Sequence, residues 1–265
     1  MLLMNDDLKY QEIVSFHLKR FINTLPQGTL KEAIEYAVFP GGKRLRPMLV
    51  LKYMDLASVM DLGIGFALTV ELLHSYTLVH DDLPCMDNAL LRREKESLHR
   101  RFTEAIAVLV GDGLLPLSFE LLVNSYSHRH DLVCSLLSLL ADTIGPKGLV
   151  LGQFEDVKAL KPCGIDQRER INTLKTAILF SACLEGAGIL LGYNSADKNL
   201  LKNVGCAFGL IFQFKDDLKD DAELSGELRR EVVKKIISLE GELSSLTKKI
   251  KYGGQFGSYL FKLLQ

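Results

Sequence analysis

FALTVELLHSYTLVHDDLPCMD, residues 66–87, sets a long apolar stretch against three aspartates. The run from Phe66 to His74 has no turn signals and no strand-like alternation, so it reads as a buried helix. At about 100° per residue, Glu71, His74, Leu78 and Asp81 share one stripe. Pro84 lacks an N–H and clashes one turn back, which predicts a kink or an end near Leu83. On an unbroken helix Asp87 would lie about 120° away from Asp81; a break can swing it back. Clustered carboxylates repel and resist burial. Alone, the cluster reads as a water-facing helix end. An EF-hand loop is excluded because the alternating acidic pattern and its glycine are missing.

A second apolar helix turns acidic in the same way. In GLIFQFKDDLKDD, residues 209–221, Gln213, Asp216, Asp217 and Asp220 stand at i, i+3, i+4 and i+7, one helical face, with the apolar residues mostly elsewhere. So many carboxylates are stable together when hard cations neutralise them. Mg²⁺ takes oxygen ligands and completes its shell with water and phosphate. The pair of clusters therefore predicts a polymetal phosphate site.

Such a site needs protein cations. Gly41-Gly42-Lys43-Arg44-Leu45-Arg46-Pro47 supplies three, with Pro47 expected at the first position of a helix. Arg92-Arg93 follows the first acids closely, and guanidinium forks grip phosphate oxygens at two points. Lys175-Thr176 is expected to start a further apolar helix over residues 177–184. Gln153 carries no signal by itself.

Around these motifs helical periodicity is common and strand signals are weak. Breakers such as Pro26-Gln27-Gly28, Gly111-Asp112-Gly113 and Gly145-Pro146-Lys147-Gly148 are expected to separate the helices. Gly186, Gly188, Gly192, Gly205 and Gly209 would let helices approach closely. No linker or repeat divides the chain. The expectation is one all-α domain over residues 1–265, of about ten helices, with a charged, solvated helix over 228–251. The 265 residues, 48% hydrophobic, are ample for a large core, and a formal charge of −1 gives no global attraction to nucleic acid. Five scattered cysteines without a C-x-x-C pair argue against a disulfide scaffold or zinc ribbon. No cationic leader and no uncharged run of about 18 apolar residues is present, so a cytoplasmic protein without a membrane span is expected.

Taken together the motifs resemble the trans-isoprenyl diphosphate synthase (polyprenyl synthetase) family, particularly its bacterial farnesyl diphosphate and plant plastid geranylgeranyl diphosphate synthases. The matching stretches, in family order over roughly residues 36–221, are 41–47, 71–88, Arg92-Arg93, 111–115, Gly152-Gln153, Lys175-Thr176 and 212–220. The resemblance implies an isoprenoid-synthase-type bundle of about ten or more helices around a deep central apolar cavity, in a homodimer. It implies head-to-tail (1′-4) condensation of isopentenyl diphosphate with dimethylallyl or geranyl diphosphate, assisted by three Mg²⁺ ions. Asp81, Asp87 and Asp216 would be the main metal ligands, assisted by Asp82, Asp217 and Asp220. Lys43, Arg46, His74 and Arg93 would hold isopentenyl diphosphate, and Arg92 and Lys175 the allylic diphosphate, with Gln153 also contacting substrate. Thr176 and Gln213 would lie near the reacting carbons. Tyr76 and Thr77 would form the floor that stops chain growth. Tyr76, together with the two-residue insertion Pro84-Cys85, favours a C15 product, although helical angle alone sets Tyr76 to one side. A C20 product is the alternative.

The chain departs from the family pattern in three places. Ala89 stands where another acid is usual, and Glu94-Lys95-Glu96 replaces Gly-Lys-Pro. No Gly-Lys pair follows Asp221, so the lid over the allylic diphosphate is expected to be short. Two rivals stay open. A class I terpene cyclase is disfavoured by the all-aspartate second motif and by the Lys43/Arg46/His74 set. A non-catalytic partner subunit would fit the short lid but has no need of two complete acid motifs.

Overall fold

The expected helix of residues 66–87 is part of α4, Met60–Asp81, and it ends three residues before Pro84. The computed structural model describes residues 2–39, 42–159, 163–220 and 226–265, with all their side chains except those of residues 2–5 and 220. Every residue from Phe66 to Leu73 is buried, as expected of a helix that is apolar all round. Glu71 tolerates this position because it pairs with the buried Arg44, which also donates to the Val38 carbonyl oxygen at 2.6 Å.

The fold is all-α. The helices are α1 Leu2–Ile22, α2 Thr29–Val38, α3 Leu45–Leu56, α4, α5 Leu98–Arg101, α6 Glu104–Ser125 and α7 His130–Ile144. They continue with α8 Leu149–Lys158, α9 Ile165–Asn172, α10 Ile178–Leu190, α11 Ser195–Asp220, α12 Gly226–Thr247 and α13 Gly253–Leu263. Two short strands, β1 Leu91–Arg92 and β2 Lys95–Glu96, pair antiparallel. No strand signal is legible there because the turn is Arg93-Glu94, not Asn-Gly. Both turn residues nevertheless have positive φ, 54° and 66°, the backbone of a type I′ hairpin.

Three points differ from expectation. Gly111-Asp112-Gly113 lies inside α6 and separates no helices. Pro47 is the third residue of α3, not the first; it fits because the first N–H groups of a helix have no intrahelical acceptor. Lys175-Thr176 does not open a helix. A π-helical turn, Thr173–Ala177, joins α9 directly to α10, so both residues sit inside one continuous helical stretch.

The described residues form two units: residues 1–51 with 61–133, and residues 52–60 with 134–265. In the first, Tyr126 at the end of α6 accepts from the Phe66 amide at 3.1 Å and donates to the Leu62 carbonyl oxygen at 2.7 Å, pinning α6 to α4. In the second, α10 and α11 pack closely: a Cβ on Gly205 would fall 2.5 Å from the Phe180 carbonyl oxygen, and one on Gly209 2.7 Å from the Ala177 Cα. The charged helix α12 is solvated on one face only. Its other face buries Leu228, Val232, Ile236, Leu239 and Leu243, each contributing about 1.5–3 kcal/mol.

Four helical stretches are long and apolar enough to cross a membrane by length and composition: Met60–Asp81, Glu104–Ser125, His130–Lys158 and Ile165–Leu190. Counting only uncharged runs passes over them, because each contains acids or bases. In Met60–Asp81, 67% of the apolar window is buried inside the protein, so its apolar surface serves the core. None of the five cysteines is in a disulfide.

Candidate active site

In the first unit the break at Pro84 does what the sequence anticipated. The chain folds back so that the Asp87 amide donates to the Asp81 carbonyl oxygen at 2.9 Å, while the Asn88 amide reaches the Leu83 carbonyl oxygen at 3.0 Å. Asn88, with φ 49°, closes the turn in the left-handed region that asparagine tolerates. Asp81 is half-buried at the end of α4 and Asp87 is exposed.

Asp82 is different. It is buried, and Arg92 Nε reaches its two carboxylate oxygens at 3.0 and 3.1 Å while Nη2 makes a further bond. That hydrogen bonding to Asp82 is the main reason the Arg92 guanidinium holds its proton more tightly than usual. A residue expected to grip substrate is thus engaged with one expected to assist a metal.

Beside this pair lies a cationic group. Arg46 Nη1 stands 3.0 Å from His74 Nε2. A guanidinium can only donate, so Nε2 accepts and the ring hydrogen belongs on Nδ1. Burial first, then Arg46, Arg93, Arg44 and Arg92, holds the His74 pKa well below the usual imidazole range. Arg93 lies against Gly42, where a Cβ would come within 2.8 Å of Nε; burial lowers its basicity. The structure therefore brings Arg46, His74 and Arg93 together. Lys43 is exposed beside Gly42, its carbonyl accepting from Gln11 Nε2 at 3.2 Å.

Tyr76 is half-buried, its ring 5.2 Å from that of His80 and edge-on at 74°. Burial, then Asp81 and Asp112, raises the pKa of its phenol. Thr77 is buried and donates to the His74 carbonyl oxygen at 2.9 Å within its own helix.

In the second unit the π turn organises the site. Gly152 lets α8 sit on it, since a Cβ there would fall 2.5 Å from the Lys175 amide nitrogen. Lys175 Nζ reaches Asp156 Oδ2 at 2.7 Å. Thr176 Oγ1 donates to Gln213 Oε1 at 2.9 Å, and Gln213 Nε2 donates to Asp217 Oδ1 at 2.9 Å. The i, i+4 spacing of Gln213 and Asp217 is thereby realised. Asp217 Oδ2 accepts from Asn172 Nδ2 at 2.9 Å and from Arg168 Nη1 at 3.3 Å. Asp216 is half-buried on the same helix. The Asp220 side chain, residues 221–225 and Gly41 lie outside the described residues, and with them the start of the stretch in which a short lid is expected.

Gln153 buries both polar atoms of its amide without a hydrogen-bond partner among the described residues. Such groups cost about 1–3 kcal/mol each when left unpaired. Arg168, Asn172 and Asp156 were missed by the motif reading.

For a divalent metal the donor chemistry fits. The candidates are all carboxylates, hard oxygen donors of the kind Mg²⁺ takes. No three of the described His, Cys, Asp or Glu side chains gather closely enough to hold an ion by themselves. Asp82 and Asp217 are engaged by guanidinium and amide donors.

A family model described as polyprenyl synthetase matches residues 27–236. The farnesyl diphosphate synthase of Micrococcus luteus is 41% identical over 196 residues, 73% of this chain and 67% of that protein. Geranylgeranyl pyrophosphate synthase 12, chloroplastic, of Arabidopsis thaliana is 36% identical over 240 residues, 87% of this chain and 66% of that one. The chain thus spans about two thirds of the length of these curated relatives. Among solved structures, an FPP/GFPP synthase from Zymomonas mobilis in its apo state superposes with a TM-score of 0.88 at 30% identity, covering 99% of this chain and 100% of the other.

Proposed function

We propose that this chain, which belongs to the polyprenyl synthetase family, is a short-chain prenyltransferase that condenses isopentenyl diphosphate head to tail with dimethylallyl or geranyl diphosphate, giving farnesyl diphosphate. The observation that carries the reading is the fold-back at Pro84, which ties the Asp87 backbone to that of Asp81, near enough to Arg92 for both carboxylates to act on its guanidinium. Two acids thus stand at one turn of the chain, with Asp87 five residues before Arg92.

In this reading Asp81, Asp87 and Asp216 hold Mg²⁺, and Asp82, Asp217 and Asp220 steady them. The metal, when bound, neutralises charge developing on the departing allylic diphosphate. Arg46, Arg93 and Lys43 hold isopentenyl diphosphate. Neutral His74, with its hydrogen on Nδ1, keeps Arg46 in place without adding charge. Lys175 and Arg92 hold the allylic diphosphate. Both are paired with carboxylates here, so substrate must compete with Asp156 and Asp82 for them.

The allylic C–O bond breaks and its electron pair leaves with the diphosphate. The double bond of isopentenyl diphosphate attacks the allylic cation, and a proton then passes to the departed diphosphate. Thr176 is suited to the cationic stage. Having donated its hydrogen to Gln213, its oxygen presents only lone pairs to a neighbouring positive carbon. The apolar walls of a deep central cavity would exclude water that would quench the cation. One polyprenyl synthetase domain over residues 1–265, working as a homodimer in the cytoplasm, completes the proposal.

Geranylgeranyl diphosphate is the second reading, favoured by the 36% identity to a plant geranylgeranyl pyrophosphate synthase. The half-buried Tyr76 ring favours the shorter product. The test is incubation with isopentenyl diphosphate, Mg²⁺ and either allylic starter, followed by chromatography of the dephosphorylated products. C15 is expected from the unmodified protein and longer products from Tyr76→Ala. Mainly C20 from the unmodified protein would overturn the floor assignment. No elongation at all would point to a partner subunit without its own catalysis.

A further inference from the structure

Tyr76 does not stand alone on α4. His80 follows it at i+4, on the same helical face, and the two rings meet edge-on at 5.2 Å. His80 is in turn held by α6. Its Nε2 lies 3.3 Å from the Val108 carbonyl oxygen and 3.8 Å from Asp112 Oδ1. Both are acceptors, so the ring hydrogen belongs on Nε2 and points at α6. The ring also fills the place a side chain would take on Gly111, where a Cβ would sit 2.0 Å from Nε2. The imidazole is thus seated on α6 from one side and against the tyrosine from the other.

We propose that His80, seated in the notch that Gly111 leaves on α6, is a positioning residue that fixes the Tyr76 ring and so sets product length. The inference rests on the reading of Tyr76 as the chain-length floor. A phenol ring turns about two side-chain torsions, and only one arrangement blocks a growing hydrocarbon. With the imidazole removed, the ring loses its edge-on partner and can swing aside. His80 acts through Tyr76, not on substrate.

The experiment compares C20 to C15 product ratios for the unmodified protein, Tyr76→Ala, His80→Ala, His80→Phe and Gly111→Ala, with isopentenyl diphosphate and geranyl diphosphate. His80→Ala is expected to raise the ratio roughly three- to tenfold, the range an aromatic pair of this kind supports. His80→Phe keeps an aromatic edge against Tyr76 and is expected to retain the original ratio. Gly111→Ala displaces the imidazole while leaving it in the sequence, and is expected to raise the ratio as His80→Ala does. It also stands in should His80→Ala fail to fold.

A shift with Tyr76→Ala but none with His80→Ala or Gly111→Ala overturns the role of His80 and leaves the floor intact. So does a fall in rate with an unchanged ratio, which is what a purely structural histidine would give. An unchanged ratio in Tyr76→Ala overturns the floor assignment, and with it this inference. Absence of elongation in the unmodified protein overturns the proposed function first.

Discussion

Burial and four nearby guanidiniums act on His74 in the same direction, so the folded protein keeps this imidazole neutral well below its usual pKa. The unfolded chain protonates it near pH 6.5. Below that pH the unfolded state binds a proton the folded state refuses, so acidification favours unfolding. The stabilising contribution is complete above about pH 6.5 and declines as the pH falls from there, by at most ~1.4 kcal/mol per pH unit for one group. His74→Gln preserves an acceptor for Arg46 and removes the titration. Its stability deficit, measured by chemical denaturation, is expected to shrink between pH 7.5 and 5.5. A deficit constant across that range would mean His74 takes up its proton equally in both states.

At the scale of the element, the β1–β2 hairpin has a backbone at odds with its side chains. Glu94 holds φ 66°, a conformation that suits glycine, the residue the family pattern places there. Glu94→Gly removes the Cβ clash of the left-handed region, worth about 1–2 kcal/mol, against about 0.5–1 kcal/mol of added backbone entropy in the unfolded state. The expected result is a net gain between zero and about 1.5 kcal/mol, read as a rise of up to about 6 °C in Tm. A lower Tm would show that the Glu94 side chain contributes more than its strained backbone costs.

This hairpin also marks where sequence reading stops. The α4 break was legible because proline acts locally on the preceding turn. The Gln213–Asp217 bond was legible because i, i+4 spacing is local too. The hairpin was not, since its turn lacks the residues that announce one. The π turn left no mark either, because its i→i+5 bonds demand no particular residue type. Arg168 and Asn172 sit in a charged stretch whose pattern resembles an ordinary solvated helix start. Their role emerges only when Asp217, from a distant part of the chain, is set against them.

For the whole molecule, the decisive question is whether the acids of the two motifs work as one metal-binding set. Asp81 and Asp87 belong to one unit and Asp216 to the other. Mg²⁺ given together with inorganic diphosphate should bind far better than either alone, because each neutralises the other. At about 100 times the dissociation constant, such binding adds about 2.7 kcal/mol of stability, a shift on the order of 5–10 °C in Tm. Chelation of the metal should reverse it. Asp81→Ala and Asp216→Ala should each abolish most of the shift, measured against each variant's own ligand-free baseline. The double variant should then lose little more than either single one, since residues that share a ligand are not additive. If each single variant instead removes only part of the shift and the two parts add, the motifs bind ions independently. The proposed chemistry, which needs both on the same diphosphate, would then be untenable.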